Sequence, residues 1–267
     1  EEGRDSEESH HREEGIEHRR RPGQVCRGEE GGRDAQGQRR GEGRGGRGLI
    51  HHRHDHTRRA TAVNGIFITF EGGDGAGKTT QAELLASWLA ARGIEVVRTR
   101  EPGGTALGAA LRELLLHGEH IDERAEALLY AADRAQHVAT VVRPAIARGA
   151  AVVQDRYIDS SLAYQGAGRP LDLAEVRRIS EWATAGLWPQ LTVLLDVAPE
   201  LAEQRRAATG EQADRLESEA AEFHRAVRDA FLGLAATEPD RFLVLDASRP
   251  VDELHADIVA QVAPLLI

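Results

Sequence analysis

The chain has one cysteine, no methionine, one lysine and no apolar run approaching twenty residues. The lone Cys26 excludes a disulfide or a cysteine-built metal framework. Without a long apolar run the expectation is a soluble, cytoplasmic protein with no membrane partner. The formal charge of −10 makes the chain a poor general binder of nucleic acid or of anionic lipid. Residues 1–62 are almost devoid of apolar side chains beyond Ile16, Val25, Leu49 and Ile50. Such a segment cannot bury enough surface to offset the entropy of ordering its backbone. It lacks the apolar centre of a secretion signal, and it is too rich in acids for a transit peptide. Its charges nearly balance, so it is not a basic arm. The cluster His51-His52-Arg53-His54-Asp55-His56 reads as a solvated tract, because no scaffold fixes a metal geometry there. The composition breaks at Ala62–Gly65 and no methionine marks a start. The expectation is therefore a disordered low-complexity tail over 1–62 and one α/β domain over 63–267.

The scarcity of lysine is the most informative. Every other basic residue is arginine or histidine, and the single Lys78 falls inside Gly72-Gly73-Asp74-Gly75-Ala76-Gly77-Lys78-Thr79, followed by Thr80. That run fits the glycine-rich phosphate loop G-x-x-x-x-G-K-[ST] between a strand and a helix. Its glycines let backbone N–H groups turn inward around phosphate oxygens. The helix that follows, Lys78 to about Arg92, points its positive end at the same place. Lys78 supplies a compact ammonium for the β/γ-phosphates where a planar guanidinium would not fit. The Thr79 hydroxyl is placed to hold Mg²⁺. The expected ligand is a nucleoside triphosphate.

From Val63 onward short apolar runs alternate with helical patterns. The runs are Ile66–Phe70, Glu95–Thr99, Ala151–Gln154, Leu191–Leu195 and Phe242–Leu245, with Gly93 and Gly149 as helix stops. This alternation predicts a parallel sheet with helices on both faces, its ligands bound at the carboxyl ends of the strands. The residues just past each run then gain interest. They include Arg100-Glu101-Pro102-Gly103-Gly104-Thr105, leading to Arg112, and Asp155-Arg156-Tyr157, leading to Ser160-Ser161-Leu162-Ala163-Tyr164-Gln165-Gly166. Asp155 suits contact with Mg²⁺ or substrate, and Arg156 suits a second phosphate.

Glu123–Arg148 reads as one long helix. Ala125, Leu128, Leu129, Ala132, Ala135 and Ala139 form an apolar stripe expected to face the sheet. Tyr130, Asp133, Arg134 and His137 share another stripe, which reads as a solvated face or as a base-stacking one, with His137 at its rim. After Leu201–Gln204 the helix breaks into a segment with Gly210 and with Arg205, Arg206 and Arg215, expected to close over phosphates as a lid.

Taken together, Phe70-Glu71-Gly72 through Thr80, Arg100 to Thr105, Leu128–Arg134 and Asp155-Arg156-Tyr157 to Gln165-Gly166 resemble the bacterial thymidylate kinases. The resemblance covers residues 64–267 and none of the tail. It implies a P-loop nucleoside-monophosphate kinase fold: a five-stranded parallel sheet flanked by helices, with a short arginine-bearing lid. It implies transfer of the γ-phosphate of ATP to dTMP with Mg²⁺, and a homodimer built on helices. By motif, Asp74 approaches the deoxyribose, and Tyr130 takes the ring-stacking position where phenylalanine is more usual. Arg134, Ser161 and Gln165 read the thymine edge. Pro102 contributes to the substrate site, Arg112 and Arg156 contact the monophosphate side, and Tyr164 crowds the sugar 2′ position. Some relatives carry an arginine inside the phosphate loop where this chain has Gly75. A lid arginine, Arg205, Arg206 or Arg215, is the candidate for the missing cation.

Phosphoryl transfer asks mainly for alignment and charge neutralisation, and an ionised phosphate needs no general base. Lys78, Arg156 and a lid arginine are the expected catalytic groups. A kinase for another small acceptor on the same fold stays open at this point. So does a nucleotide switch, although no Asn-Lys-x-Asp run is present to read guanine.

Overall fold

Five short strands, β1 Phe67–Glu71, β2 Val96–Arg100, β3 Ala151–Asp155, β4 Leu191–Asp196 and β5 Phe242–Asp246, match the five apolar runs to within two residues. They form one parallel sheet in the order β2-β3-β1-β4-β5. The computed structural model describes residues 65–208 and 214–266. The expected tail, its histidine cluster and lid residues 209–213 lie outside the described residues.

Alternation along the strands divides the core into two layers. Phe67, Val152 and Leu194 point into one, where they meet Tyr157, Phe231 and Phe242. Ile68, Phe70, Val153, Val193 and Leu195 point into the other, with Leu85, Leu89 and Ile258. Helices α1 Lys78–Ala90 and, further along, Val251–Val262 cover the second layer. Helices α2 Ala106–His117, α3 Glu123–His137 and the later Ala221–Thr237 cover the first. Burial on both faces explains why the strands read as unbroken apolar runs.

The remaining helices are α4 Arg143–Ala147, α5 Ile158–Ser161, α6 Leu173–Thr184 and α7 Pro199–Ala207, and Ala221–Thr237 and Val251–Val262 become α8 and α9. Thr105 caps α2 by accepting from Gly108 N at 2.9 Å, and Asp122 caps α3 by accepting from Arg124 N at 3.0 Å. Gly93 and Gly149 have φ of 76° and 88°, the left-handed turn that ends a helix.

Glu123–Arg148 is one helical run as far as Ala147, with a π-turn at Val138–Val142 between its α3 and α4 parts. Pro144 sits in the first turn of α4; it has no N–H to donate, and its ring would collide with the carbonyl four residues back. The expectation for its faces is corrected: they are exchanged. Ala125, Leu128, Ala132 and Ala139 are exposed, while Leu129 and Ala135 are half-buried. Tyr130, Asp133, Arg134 and His137 point inward. The inward face is polar because distant acids and loop backbone meet it there, which leaves the apolar stripe outside.

Parallel register gathers the strand ends. Phe70 and Arg100 both stand beside Asp155, so Glu71, Arg100 and Asp155 emerge at one edge of the sheet. The chain order reverses at β1, between β3 and β4, and a crevice opens there.

Candidate active site

One half of the site is built on the turn from β1 into α1. Gly72, Gly75 and Gly77 have φ of 129°, 83° and 93°. Gly72 has a second constraint, since a Cβ there would lie 2.4 Å from Leu195 O. Ala76 is buried beneath the loop, and Thr80 lies exposed in the first turn of α1. Lys78 is buried, and its Nζ donates to Gly72 O at 3.1 Å and Gly73 O at 2.8 Å, with Asp74 at 3.8 Å. Burial and then Arg156 hold its pKa below the usual lysine value. Thr79 Oγ1 stands 3.5 Å from Asp155 Oδ2, and Asp155 Oδ1 is buried without a hydrogen-bond partner.

Arg156 follows β3 with φ of 63°, a left-handed conformation that costs a non-glycine residue about 1–3 kcal/mol. Its surroundings hold it there. Arg156 N donates to Phe70 O at 2.9 Å, and its own carbonyl accepts from Gln154 Nε2 at 2.9 Å. Its guanidinium pairs with Asp74 and donates to Ser160 Oγ at 3.0 Å and Tyr164 Oη at 3.3 Å. Burial opposes the charge of Asp74, but Arg156 and Lys78 outweigh it and hold the carboxyl well below the usual range.

Gly75 explains how α7 reaches this loop. A Cβ there would lie 2.5 Å from Ala202 O and 3.2 Å from Arg206 Cγ. With no side chain at Gly75, α7 packs against the turn, and Arg205 and Arg206 line the phosphate hollow with Lys78, Thr79, Arg112 and Asp155. Arg205 donates to Ala247 O at 2.9 Å. Arg215 is not in that lining: it pairs with Glu126 and donates to Leu115 O at 2.9 Å.

A deeper hollow adjoins this one, lined by Pro102, Tyr130, Arg134, Ser161, Tyr164 and Gln165, all expected from sequence. Arg134 is buried and its donors are widely shared: Nε to Glu101 at 2.8 Å, Nη1 to Ser180 at 3.3 Å, and Nη2 to Tyr157 O and Ser161 Oγ at 3.1 Å. Tyr164 Oη donates to Asp74 Oδ2 at 3.2 Å, with its ring edge-on to Phe231. Pro102 O accepts from Arg112 Nη1 at 3.1 Å, and the Glu101–Pro102 peptide is cis. Asp74, Glu101, Arg112 and Arg156 line both hollows.

His137 is not a rim residue. It is fully buried, with Nδ1 2.8 Å from Glu101 Oε1 and Nε2 2.6 Å from Thr99 Oγ1. Asp133 shares this pocket, and burial followed by Glu101 pushes its carboxyl up to about 6.

Sequence reasoning left Glu71, Glu101, Glu126 and Leu216 without roles. Glu71 accepts from Tyr157 N at 2.7 Å and from Ser160 Oγ at 2.6 Å, and so fixes the turn that presents Arg156. Burial and then Asp159 raise its carboxyl to about 7. Glu71 and Glu101 lie inside the motif runs themselves, next to the glycines and the proline, which was the available signal. Nothing local marks Leu216, which joins the hollow around Tyr130 and Gln165 only through the fold.

The family model described as thymidylate kinase matches residues 70–258. The chain is 60% identical over 205 residues to a thymidylate kinase of Clavibacter michiganensis, covering 76% of this chain and 97% of the relative. It is 63% identical over 195 residues to one of Leifsonia xyli, covering 73% and 92%. Among solved structures, a thymidylate kinase from Ehrlichia chaffeensis superposes with a TM-score of 0.62 at 32% identity, covering 74% of this chain and 99% of that one.

Proposed function

The chain belongs to the thymidylate kinase family, and on that premise we propose how its two hollows divide one reaction. The reaction is transfer of the γ-phosphate of ATP to dTMP, giving dTDP for dTTP synthesis. One observation carries the division: Asp74, Glu101, Arg112 and Arg156 line both hollows. A monophosphate whose base enters the deep hollow therefore ends beside Lys78.

Gly72 to Thr80 take the triphosphate, with Lys78 on its transferring end. The acceptor phosphate oxygen is already ionised and is itself the nucleophile, so the protein's task is alignment and neutralisation. Arg156 and Arg112 hold the acceptor phosphate. Arg205 and Arg206, brought in by the approach of α7 at Gly75, offset the charge of the phosphoryl group in flight. Alanine at either should lower kcat more than it raises the KM for dTMP. Full kcat in both single variants and their combination would remove them from this role.

Thr79 and Asp155 fit a bound Mg²⁺, since a buried carboxylate oxygen without a hydrogen-bond partner stands beside a hydroxyl. The ion would neutralise phosphate charge there. Tyr130 stacks on the base, Arg134, Ser161 and Gln165 meet its edge, and Tyr164 with Asp74 stands at the sugar. The decisive experiment is ADP release over a panel of nucleoside monophosphates. dTMP should stimulate it most, and equal use of dCMP or AMP would overturn the substrate assignment.

The exposed apolar side chains support a homodimer. Leu107 and Leu114 on α2, Leu128 on α3, and Leu173 and Trp182 on α6 are exposed, Trp182 at 83%. These helices pack side by side through α3. Leu128→Glu should convert dimer to monomer in sedimentation, and a wild-type chain already monomeric at micromolar concentration would remove the dimer.

We place the activity in 63–267: the family model matches 70–258, and the relatives are covered over 97% and 92% of their length by about three quarters of this chain. A chain starting at Val63 should match the full chain in Tm and rate, and a large loss in either would give the tail a role. Among the described residues no helix is long and apolar enough to cross a membrane. A cytoplasmic enzyme without nucleic-acid or membrane partners is the matching proposal, testable by cell fractionation.

A further inference from the structure

Glu126 is a fully buried carboxylate in the first turn of α3, outside every motif discussed above. Its Oε1 accepts from Gln165 Nε2 at 3.0 Å. Its Oε2 accepts from Arg215, and Arg169 Nε lies 3.6 Å from Oε1. Gln165 lines the base hollow and is itself buried.

A carboxylate set between two guanidinium groups offers acceptors only, so the part of an amide that can face it is the NH₂. With an Nε2 hydrogen given to Glu126, the Gln165 oxygen is the acceptor that the amide can offer the hollow. A carbonyl oxygen accepts a hydrogen bond from the N3–H of a thymine or uracil. Against cytosine it meets the lone pair of a bare N3, and two acceptors face each other.

We propose that Glu126 is a specificity-determining positioning residue that never touches substrate. By orienting the Gln165 amide it makes the site select pyrimidines carrying an N3–H. This inference rests on the reading of the deep hollow as the base site. It also assigns Arg215 a place: anchored on Leu115 O and Glu126, it holds the segment after the lid against the residue that sets base identity.

Glu126→Gln is nearly isosteric, but its amide can donate as well as accept, so Gln165 becomes free to turn its NH₂ toward the hollow. The ratio of kcat/KM for dTMP over dCMP should fall by about one to two orders of magnitude, mainly through a lower KM for dCMP. The exchanged pair Glu126→Gln with Gln165→Glu should restore the ratio. The amide introduced at position 126 then donates to the carboxylate introduced at position 165, which again offers the base acceptors only. A purely structural role for Glu126 would depress both substrates alike and would give no rescue. Arg169→Gln loosens the ion pair on Glu126 without freeing the amide, and should leave the ratio unchanged.

The wild-type enzyme tests the same orientation without any substitution. 5-Fluoro-dUMP loses its N3 proton nearer neutrality than dUMP does. Its kcat/KM relative to dUMP should fall as pH rises through that ionisation, and a flat or rising ratio overturns the proposal even if Glu126→Gln fails to fold. Wild-type protein that prefers dTMP while Glu126→Gln stays equally selective overturns this inference alone. Wild-type protein that ignores dTMP overturns the functional reading, and this inference with it.

Discussion

Between Gly72 and Thr79 one uninterrupted run of chain brings backbone and a single ammonium to the hollow proposed for the phosphates. The hollow proposed for the base instead draws Glu101, Tyr130, Arg134, Ser161, Gln165 and Leu216 from separate segments. Its polar groups are welded into the core: Arg134 alone ties Glu101, Tyr157, Ser161 and Ser180 together. The difference teaches where function and stability separate. A loop of glycines is held open by its own turn, so its chemistry can be removed with the fold left standing. A pocket whose readers are also its buried ion pairs cannot lose one without losing stability.

Glu101→Gln should produce the largest effect. Arg134 and Glu101 pair at 2.8 Å, each with 2% of its side chain exposed. Removing the acid leaves a buried guanidinium uncompensated, at a cost of about 3–5 kcal/mol. Denaturant unfolding should show that loss together with weaker dTMP binding. Unchanged stability with lost binding would mean that the two halves are built alike.

Lys78→Arg is the counterpart. The residue sits in the loop, and its neighbours are the carbonyls of Gly72 and Gly73. Turnover should fall about 10²–10³-fold, the scale on which a single charge-stabilising donor acts in a transition state. Tm should move little. A large drop in Tm, or turnover near normal, would break the contrast from the other side.

Glu71 lies on the boundary and sharpens the comparison through pH. Its folded pKa of about 7 stands above the ordinary 4.5, raised by burial and then by Asp159. The fold therefore favours its protonated form. The stability it contributes is fully present below pH 4.5 and is lost as pH rises through about 7, roughly 3 kcal/mol at most. Glu71→Gln should flatten that part of the stability–pH curve, measured by denaturant unfolding across the interval. The variant should also turn over more slowly, since Ser160 then holds Arg156 less firmly. An unaltered slope would show that the loss of stability with rising pH arises elsewhere.

The strands, the phosphate loop and the residues at the strand ends were legible because each is a local pattern. Alternation, glycine spacing and an acid–arginine pair after a strand all carry their meaning within a few residues. The orientation of α3 was not legible in this way. Periodicity yields two stripes on that helix, Leu128 with its alanines and Tyr130 with Arg134, and apolarity alone selects the first. What turns the second inward is Glu101, Ser161 and Tyr157 O, none of which a wheel of that helix contains. The pairing of Arg215 was equally illegible. In sequence it stands with Arg205 and Arg206 as one arginine-bearing segment, and what sets it apart is that α7 carries those two while Arg215 meets the buried Glu126 of α3.

The smallest expected effect concerns the 5-methyl group of the base. The hollow carries Leu116, Leu216 and the rings of Tyr130, Tyr157 and Tyr164 beside its polar readers, so a methyl group gains apolar burial there. That gain is about 1 kcal/mol, close to the value of one buried CH₂. dUMP keeps the N3–H and both carbonyls, and every hydrogen bond available to dTMP is available to it. It should therefore be a slower substrate by roughly five- to tenfold in kcat/KM. UMP should fall further behind, because its extra hydroxyl meets Tyr164. dCMP should come last or beside UMP, because its base presents the wrong edge to Gln165. This ladder separates the kinds of contact within the base half: apolar burial discriminates weakly, while mismatched buried polar groups discriminate steeply. Steady-state ADP release with the four nucleotides at matched concentrations measures it directly. If dUMP were rejected as strongly as dCMP, the methyl group would be filling a pocket tighter than this hollow, and the hydrogen-bond account of selectivity would lose its main support.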